Sequence, residues 1–493
     1  MIRGGNWGMP ESMLRCDSNG YDLRVRLHKE MNLNMIRNWI GMTAHEEFYD
    51  ACDKYGILIW DDFWLANPVD GPHPADNILF LKCAKDKILS LRNHASIALW
   101  CGRNEGYPPA YLDSAMRRLI EDYDPTRHYI HSSANKPVTG LGPYEIKDPK
   151  WYFKNRGYTF HSEQGIVAVP SYESMLDMMP HEYLWPINDM WGKHDWTQPR
   201  VKIYEENLRF SYGDPKDIKD FCRKAQMINM EGPKALIECW QSNRGPGVLI
   251  WMTHPAWPSL ICQTYDYYFE PTAAFFAVKN ASEPVHILWR SDNELIQVAN
   301  NTLNPINLTA FINVFDINGN IIYHDSITIN VKANQLLNLQ TLPIEKFNTD
   351  IQFIHLTLKN NENTIVSENF YWRSNHYSDY KALNNLKKAQ TSVKARCAIT
   401  GEKAIFTINC INLSKMIALM LRVKLLDNET QQRILPAIFS DNYFSLIPNQ
   451  SKEIQIEVPK NLLKNKKPTL ILEGWNIDDQ KILINQNDIM YEQ

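Results

Sequence analysis

The chain has 493 residues, 44% of them apolar and 22% charged, with a formal net charge of −4. That length exceeds one ordinary domain and predicts two or three, while the near balance of charge gives no footprint for nucleic acid or an anionic membrane surface. No apolar run reaches the ~18 residues of a membrane-spanning helix, and the nine scattered cysteines offer no close pair for a zinc site or a disulfide framework.

Met1-Ile-Arg-Gly-Gly-Asn-Trp7 lacks a charged-then-apolar leader pattern and reads as the middle of a structural element entered without a lead-in. The expectation is an N-terminally truncated chain, with its compartment unassigned. From there to about residue 284, strand-like and helix-like runs alternate, as in a parallel α/β domain. A helix over 21–31 precedes a strand over 34–40. A helix over 46–55, stopped by Gly56, precedes a strand over 57–63 that carries Asp61 and Asp62 at its end. A helix over 79–93 leads into a strand from Ile97, and one over 110–123 into a strand over 129–133. A weak strand is expected within 143–153, a clear one over 158–163, a long helical section over 171–240 and a last strand over 247–253. With residues 2–6 these make seven clear strands and one weak one, and eight close a (β/α)8 TIM barrel, assigned to 1–284. Short alternating runs follow, with Asn318-Gly319 as a hairpin turn. They predict two all-β sandwiches, over 285–378 and 389–484, joined by the polar segment 375–388.

Two strand ends carry chemistry. The apolar run 97–100 breaks at Gly102 into Asn104-Glu105, and the aromatic-rich run from Tyr158 ends in His161-Ser162-Glu163. Barrel strands deliver such groups to the C-terminal mouth. A carboxyl pair there is what glycosidic bond cleavage requires, one to give and take a proton and one to attack or stabilise the sugar carbon. Twelve of the 15 tryptophans precede residue 285, and flat rings suit the C–H faces of sugars. Trp7, Trp100 and Trp240 read as core; Trp39, Trp64, Trp251 and Trp257 read as platforms. Either Asp61 or Asp62 faces inward. His161 shares a strand face with Glu163 and reads equally as a sugar contact or a packed histidine. Histidine spacing suits no metal, and acid–base glycosidase chemistry needs none, so no cofactor is expected.

Longer stretches carry a resemblance. Arg3-Gly-Gly-Asn-Trp7, Asn34-Met-Ile-Arg-Asn-Trp39, Arg92-Asn-His-Ala-Ser96, Trp100-Cys-Gly-Arg-Asn-Glu105, Ser162-Glu163 and Trp251-Met-Thr-His-Pro-Ala-Trp-Pro-Ser-Leu260 resemble the catalytic barrel of glycoside hydrolase family 2. The branch is that of β-mannosidases, plant-type endo-β-mannosidases and exo-β-D-glucosaminidases. Glu283-Pro-Val-His-Ile287 and Leu435-Pro-Ala-Ile-Phe-Ser-Asp-Asn-Tyr-Phe-Ser445 resemble its C-terminal, immunoglobulin-like sandwiches. The resemblance implies a retaining β-glycosidase for β-mannosides or β-glucosaminides in an oligosaccharide or glycoconjugate. Glu105 would be the acid/base and Glu163 the nucleophile, with Arg37, Trp39, Asp61, Asn104, His161, Trp251 and Trp257 around the sugar. A guanidinium at position 37 holds Glu163 ionised or else ties barrel carbonyls, and Asn104 is expected on the sugar 2-hydroxyl. Family members carry a sugar-binding domain and an immunoglobulin-like domain before the barrel, so a truncated, non-catalytic carbohydrate-binding fragment is the alternative. A β-galactosidase or β-glucuronidase of the same family would share the carboxylates but use other hydroxyl-binding residues. Arg37-Asn-Trp39 and Asn104-Glu105 are mannosidase-like, whereas 256–260 followed by Tyr265-Asp-Tyr-Tyr268 is closer to the glucosaminidases.

Overall fold

The computed structural model describes residues 1–69, 71–197, 199–484 and 489–492. Its first half alternates β1 (Ile2–Trp7), α1 (Ser18–Glu30), β2 (Met35–Asn38), α2 (Glu46–Tyr55), β3 (Leu58–Asp62), α3 (Asn77–Leu91), β4 (Ile97–Cys101), α4 (Ala110–Tyr123) and β5 (His128–Ile130). It continues through α5 (Pro149–Asn155), β6 (His161–Gly165), α6 (Tyr172–Met178), α7 (Asp189–Lys193), α8 (Arg200–Tyr212), α9 (Ile218–Gln241), β7 (Gly247–Trp251) and α10 (Ala273–Ala281). Local chemistry sets the helix ends. Asp17 and Asp76 cap α1 and α3 by accepting backbone N–H bonds, and α2 stops at Gly56, whose φ of 67° suits glycine.

The seven strands form one parallel sheet in the order β5-β4-β3-β2-β1-β7-β6. The weak strand expected within 143–153 is not there, since α5 occupies 149–155. The segment that lies along β6 comes earlier, at 139–143. Thr139 N–H donates to the Phe160 carbonyl (2.8 Å), Ser162 N–H to Thr139 (2.7 Å) and Gly165 N–H to Pro143 (2.8 Å). Prolines at 137 and 143 have no N–H to give, which keeps this eighth segment irregular. The architecture is a TIM barrel. Alternation along its strands divides two layers. Met35, Trp60, Cys101 and Leu249 pack inside the barrel, whereas Ile36, Ile59 and Trp100 pack outward on Phe48, Ala84 and Leu112 of the helices.

The rest is all-β. Strands β8 (Val285–Trp289), β9 (Leu295–Asn300), β10 (Ile306–Asp316), β11 (Ile321–Val331), β12 (Gln335–Thr341), β13 (Ile351–Lys359) and β14 (Ile365–Ser374) form sheets ordered β12-β9-β8 and β11-β10-β13-β14. The hairpin joining β10 to β11 turns at Asn318-Gly319, with Gly319 at φ 81°. A second sandwich comprises β15 (Thr391–Thr400), β16 (Lys403–Asn412), β17 (Ala418–Asp427), β18 (Ile438–Phe439), β19 (Phe444–Leu446), β20 (Ser451–Pro459), β21 (Pro468–Glu473), β22 (Gln480–Leu483) and β23 (Ile489–Glu492). Its sheets run β18-β20-β16-β15-β23 and β19-β17-β21-β22. Both are immunoglobulin-like sandwiches. The polar connection between them is clamped to the barrel: Tyr380 N–H donates to the Ser211 carbonyl (2.8 Å), and Leu383 is fully buried. No helix among the described residues is long and apolar enough to cross a membrane.

Candidate active site

Arg37, Asn104, Glu105, Tyr144 and Glu163 meet at the C-terminal mouth. Arg37, at the inward-facing end of β2, is wholly buried. Its Nη1 donates to Glu163 Oε1 (2.5 Å) and Asn6 Oδ1 (3.2 Å), and its Nη2 to Asp62 Oδ2 (2.6 Å) and Asn104 Oδ1 (2.8 Å). Asn104 also accepts from Ser133 Oγ (3.1 Å) and donates to Asn67 Oδ1. Beyond β4 the chain turns sharply, so that Glu105 sits at φ 48° with its N–H on Ser133 Oγ (3.0 Å). A non-glycine residue held in the left-handed region is strained, a common state for residues at sites of chemistry.

Tyr144 joins the two glutamates. Its hydroxyl lies 2.5 Å from Glu105 Oε1 and 2.7 Å from Glu163 Oε2. A tyrosine has one hydroxyl hydrogen for two acidic neighbours, so the second contact calls for a proton on a carboxyl group. The shared hydroxyl also caps the separation of those two carboxyl oxygens at about 5 Å. Gly165 makes this approach possible, because a Cβ there would come within 2.3 Å of the Tyr144 Cα.

Burial sets the electrostatics. It pushes Glu163 above the ordinary glutamate range, with Arg37 and the Tyr144 hydroxyl pulling against it. Burial likewise raises the Tyr144 hydroxyl, reinforced by both glutamates. Arg37 is opposed by burial, but Asp62 and Glu163 outweigh it and keep the guanidinium firmly charged.

Trp39 and Trp251 complete the wall. Their ring centroids are 5.0 Å apart at 77°, and Trp251 stands 6.1 Å from the Tyr144 ring. Trp257 is 43% exposed, and among the described residues no hydrogen bond or ring contact joins it to this group. One expectation is corrected and one open reading is decided. Asp61 is buried against the helices, accepting from Lys87 (2.8 Å), Tyr49 (2.8 Å) and Asn38 (3.0 Å); Asp62, on the opposite strand face, serves the mouth. His161 is not free for sugar. One ring nitrogen pairs with Thr139 Oγ1 (3.1 Å), the other with the Gly142 carbonyl (2.8 Å), and the ring stacks on Trp240. Sequence reasoning missed Tyr144 and Asn67 altogether and gave Asn6, quoted only within the first strand, no role of its own. Among the described residues no cluster of three histidine, cysteine, aspartate or glutamate side chains is placed to hold a metal ion.

Residues 21–142 match the family model described as glycosyl hydrolases family 2, TIM barrel domain. Residues 294–376 match the mannosidase Ig/CBM-like domain and residues 369–477 the exo-beta-D-glucosaminidase Ig-fold domain. The mannosylglycoprotein endo-beta-mannosidase of Lilium longiflorum is 32% identical, over 97% of this chain and 63% of the lily protein. An exo-beta-D-glucosaminidase of Streptomyces avermitilis is 27% identical, over 98% of this chain and 60% of its own length. The chain thus spans about three fifths of the length of these relatives. The crystal structure of the Amycolatopsis orientalis exo-chitosanase CsxA superposes with a TM-score of 0.90 at 23% identity, covering 98% of this chain and 64% of that one, a likeness of fold. With a barrel and two β-sandwiches that each match this group, the chain belongs to glycoside hydrolase family 2, in the branch that includes proteins named endo-β-mannosidase and exo-β-D-glucosaminidase.

Proposed function

We propose that residues 1–284 are the catalytic barrel of a retaining β-glycosidase, with 285–378 and 389–484 as supporting sandwiches. The reading rests above all on one spacing. One oxygen of Glu105 and one of Glu163 lie within about 5 Å of each other across the Tyr144 hydroxyl. That closeness favours double displacement, with its carboxyl groups ~5–5.5 Å apart, over the inverting route, whose groups stand ~6.5–9.5 Å apart to seat a water. Glu163, fixed by Arg37, attacks the anomeric carbon and forms a glycosyl-enzyme. Glu105, the more accessible carboxyl, protonates the leaving oxygen and then deprotonates the incoming water. Asn104, held by Arg37 and Ser133, presents its amide to the sugar 2-hydroxyl, and Trp39 and Trp251 supply the apolar wall.

The preferred substrate in this reading is a β-mannoside, carried by Arg37-Asn38-Trp39 and Asn104-Glu105 and by the likeness to the lily endo-beta-mannosidase. The match of 369–477 to the exo-beta-D-glucosaminidase Ig-fold domain favours a β-glucosaminide as the second reading. The ratio of kcat/KM on aryl β-mannoside and aryl β-glucosaminide decides between them. Azide rescue tests the roles. In Glu105→Ala an activated aryl substrate still forms the glycosyl-enzyme, and azide, which needs no base, releases a β-configured glycosyl azide. In Glu163→Ala any rescue yields the α-azide by direct displacement. The opposite pair of configurations, read by NMR, would exchange the two roles.

A further inference from the structure

The structure holds a second arginine at the mouth, wired unlike the first. Arg200 opens α8, and the turn before α8 is tied across the barrel mouth. His194 Nδ1 pairs with the Pro258 carbonyl (2.7 Å), and Leu260 N–H donates to the His194 carbonyl (2.9 Å). From there the Arg200 guanidinium lies over the face of the Tyr144 ring, 5.0 Å from its centroid. The hydroxyl of that same ring sits between Glu105 and Glu163, so Arg200 is one phenol ring away from the proposed chemistry.

Arg37 spends its guanidinium on Asp62, Glu163, Asn6 and Asn104. Arg200 donates to one weak acceptor, Cys262 Sγ at 3.8 Å, and among the described residues it joins no ion pair. It is half-buried, which leaves part of the guanidinium open to solvent or ligand. Asp195, the acid it influences through space, lies outside ion-pair contact and is itself raised by burial, which weakens its hold on the cation. A fixed planar cation with unspent donors suits hydroxyl oxygens and repels an ammonium group.

We infer that Arg200 is a specificity residue that reads the sugar bound against Tyr144, donating to a hydroxyl and excluding a protonated amine. The inference rests on the glycosidase reading above and selects the neutral β-mannoside over the cationic β-glucosaminide. The substrate-binding charge is thus supplied by the helical section between β6 and α9 instead of by a barrel strand.

The test measures binding, so that it does not depend on turnover. Methyl β-D-mannoside and methyl β-D-glucosaminide are titrated at pH 6, where the amine is charged, into the 493-residue chain and its Arg200→Gln, Arg200→Lys and Asp195→Asn variants. The parent is expected to prefer the mannoside. Arg200→Gln should narrow that preference by about tenfold, and Arg200→Lys, which keeps the charge but not the fork, should retain most of the exclusion. Position 200 is half-exposed in a first helical turn, so neither change threatens folding. A parent that prefers the glucosaminide, or an unchanged ratio in Arg200→Gln, would overturn this inference while leaving the glycosidase reading intact. Loss of glucosaminide binding in Asp195→Asn with Arg200→Gln silent would overturn it too, by assigning the wall to an ammonium. Binding of neither sugar by the parent would overturn the inference and the reading together.

Discussion

Two clusters of buried charge in this molecule use the same residue types and are wired differently. Where the second sandwich docks on the barrel, Arg422 of β17 meets Glu173 (2.9 Å), Glu270 (2.8 Å) and Glu473 (2.9 Å), while Lys424 meets Glu173 and Glu473 at 2.7 Å each. These three carboxylates face three fixed cations in a shared network, because Arg433 also reaches Glu270 (3.5 Å). Although burial pushes Glu173 up, Arg422 and Lys424 hold it well below the usual carboxylate range. At the mouth, Asp62 and Glu163 share one buried cation, Arg37, and Glu105 has a tyrosine hydroxyl in place of a counter-ion. The docking cluster is locked in its charged form. The mouth is more sparsely paired, and the single hydroxyl hydrogen of Tyr144 between Glu105 and Glu163 leaves room for a proton on that pair, the state the proposed acid catalyst needs before its first step.

The largest contrast is expected from removing one acid at each place. Glu163→Gln should lower kcat by several orders of magnitude, because no other group near the anomeric carbon can replace the nucleophile. It should leave thermal stability unchanged or raised, since burial disfavours the Glu163 charge by more than Arg37 and Tyr144 favour it. A variant that retains measurable turnover on aryl glycosides would remove Glu163 from the chemistry. Arg422→Met should do the reverse. It strands buried carboxylates at the docking face and costs about 3–5 kcal/mol of stability, seen as a lower denaturant midpoint, while the folded fraction keeps its kcat/KM. A loss of activity without loss of stability would show that the docking cluster reaches the site.

A third buried cluster sharpens the comparison through pH. His286 of β8 sits between Glu238 of α9 (3.0 Å) and Glu283 (3.0 Å) and is wholly buried. Burial lowers its affinity for a proton, but the two glutamates outweigh that and raise its pKa to about 9. A histidine raised from an unfolded value near 6.5 stabilises the fold fully below that pH, and the contribution disappears as pH rises through 9. The window amounts to about 3 kcal/mol. Unfolding free energy of the parent should therefore fall between pH 6.5 and 9, and that slope should be absent in His286→Gln. An identical slope in the variant would assign the pH dependence elsewhere.

What the sequence disclosed follows the range of each interaction. Glu105 and Glu163 were legible because an apolar or aromatic strand breaking into polar residues is a local signal, and Arg37 and Trp39 came with the strand that carries them. The choice between Asp61 and Asp62 was not legible. Adjacent strand residues alternate faces, and the phase is set by Trp60 packing inside the barrel and donating to Asp62 Oδ1 (2.7 Å). His161 lay on a promising strand, yet its ring nitrogens are taken by Thr139 and Gly142, some twenty residues earlier in the chain. Tyr144 was hidden for the same reason. Its segment has no periodic pattern, carries two prolines and is positioned by bonds to β6 that exist only once the barrel closes. The fold class was legible throughout because it depends on repeated patterns, whereas these three positions depend on how the closed barrel packs.

The smallest effect belongs to the residue that joins the two proposed catalytic groups. Tyr144→Phe keeps the ring, its place beneath Arg200 and its contact with Trp251, and removes one oxygen. Stability should change by less than about 1 kcal/mol, because Tyr144 is only half-buried and phenylalanine keeps its ring contacts. Activity should fall about tenfold, the effect of one lost hydrogen bond to a charged group. The informative quantity is the acid limb of kcat/KM. Glu163 must be ionised to attack, so the rate falls as pH drops through its pKa, which burial already holds above the ordinary glutamate range. The Tyr144 hydroxyl lowers that pKa by bonding to the carboxylate, so its loss should raise it further and move the acid limb to higher pH. The deficit of Tyr144→Phe should therefore be greatest at low pH and shrink as pH rises. An acid limb that stays in place would mean the hydroxyl serves Glu105 alone, and one that moves to lower pH would mean the proton on the pair resides on Glu163.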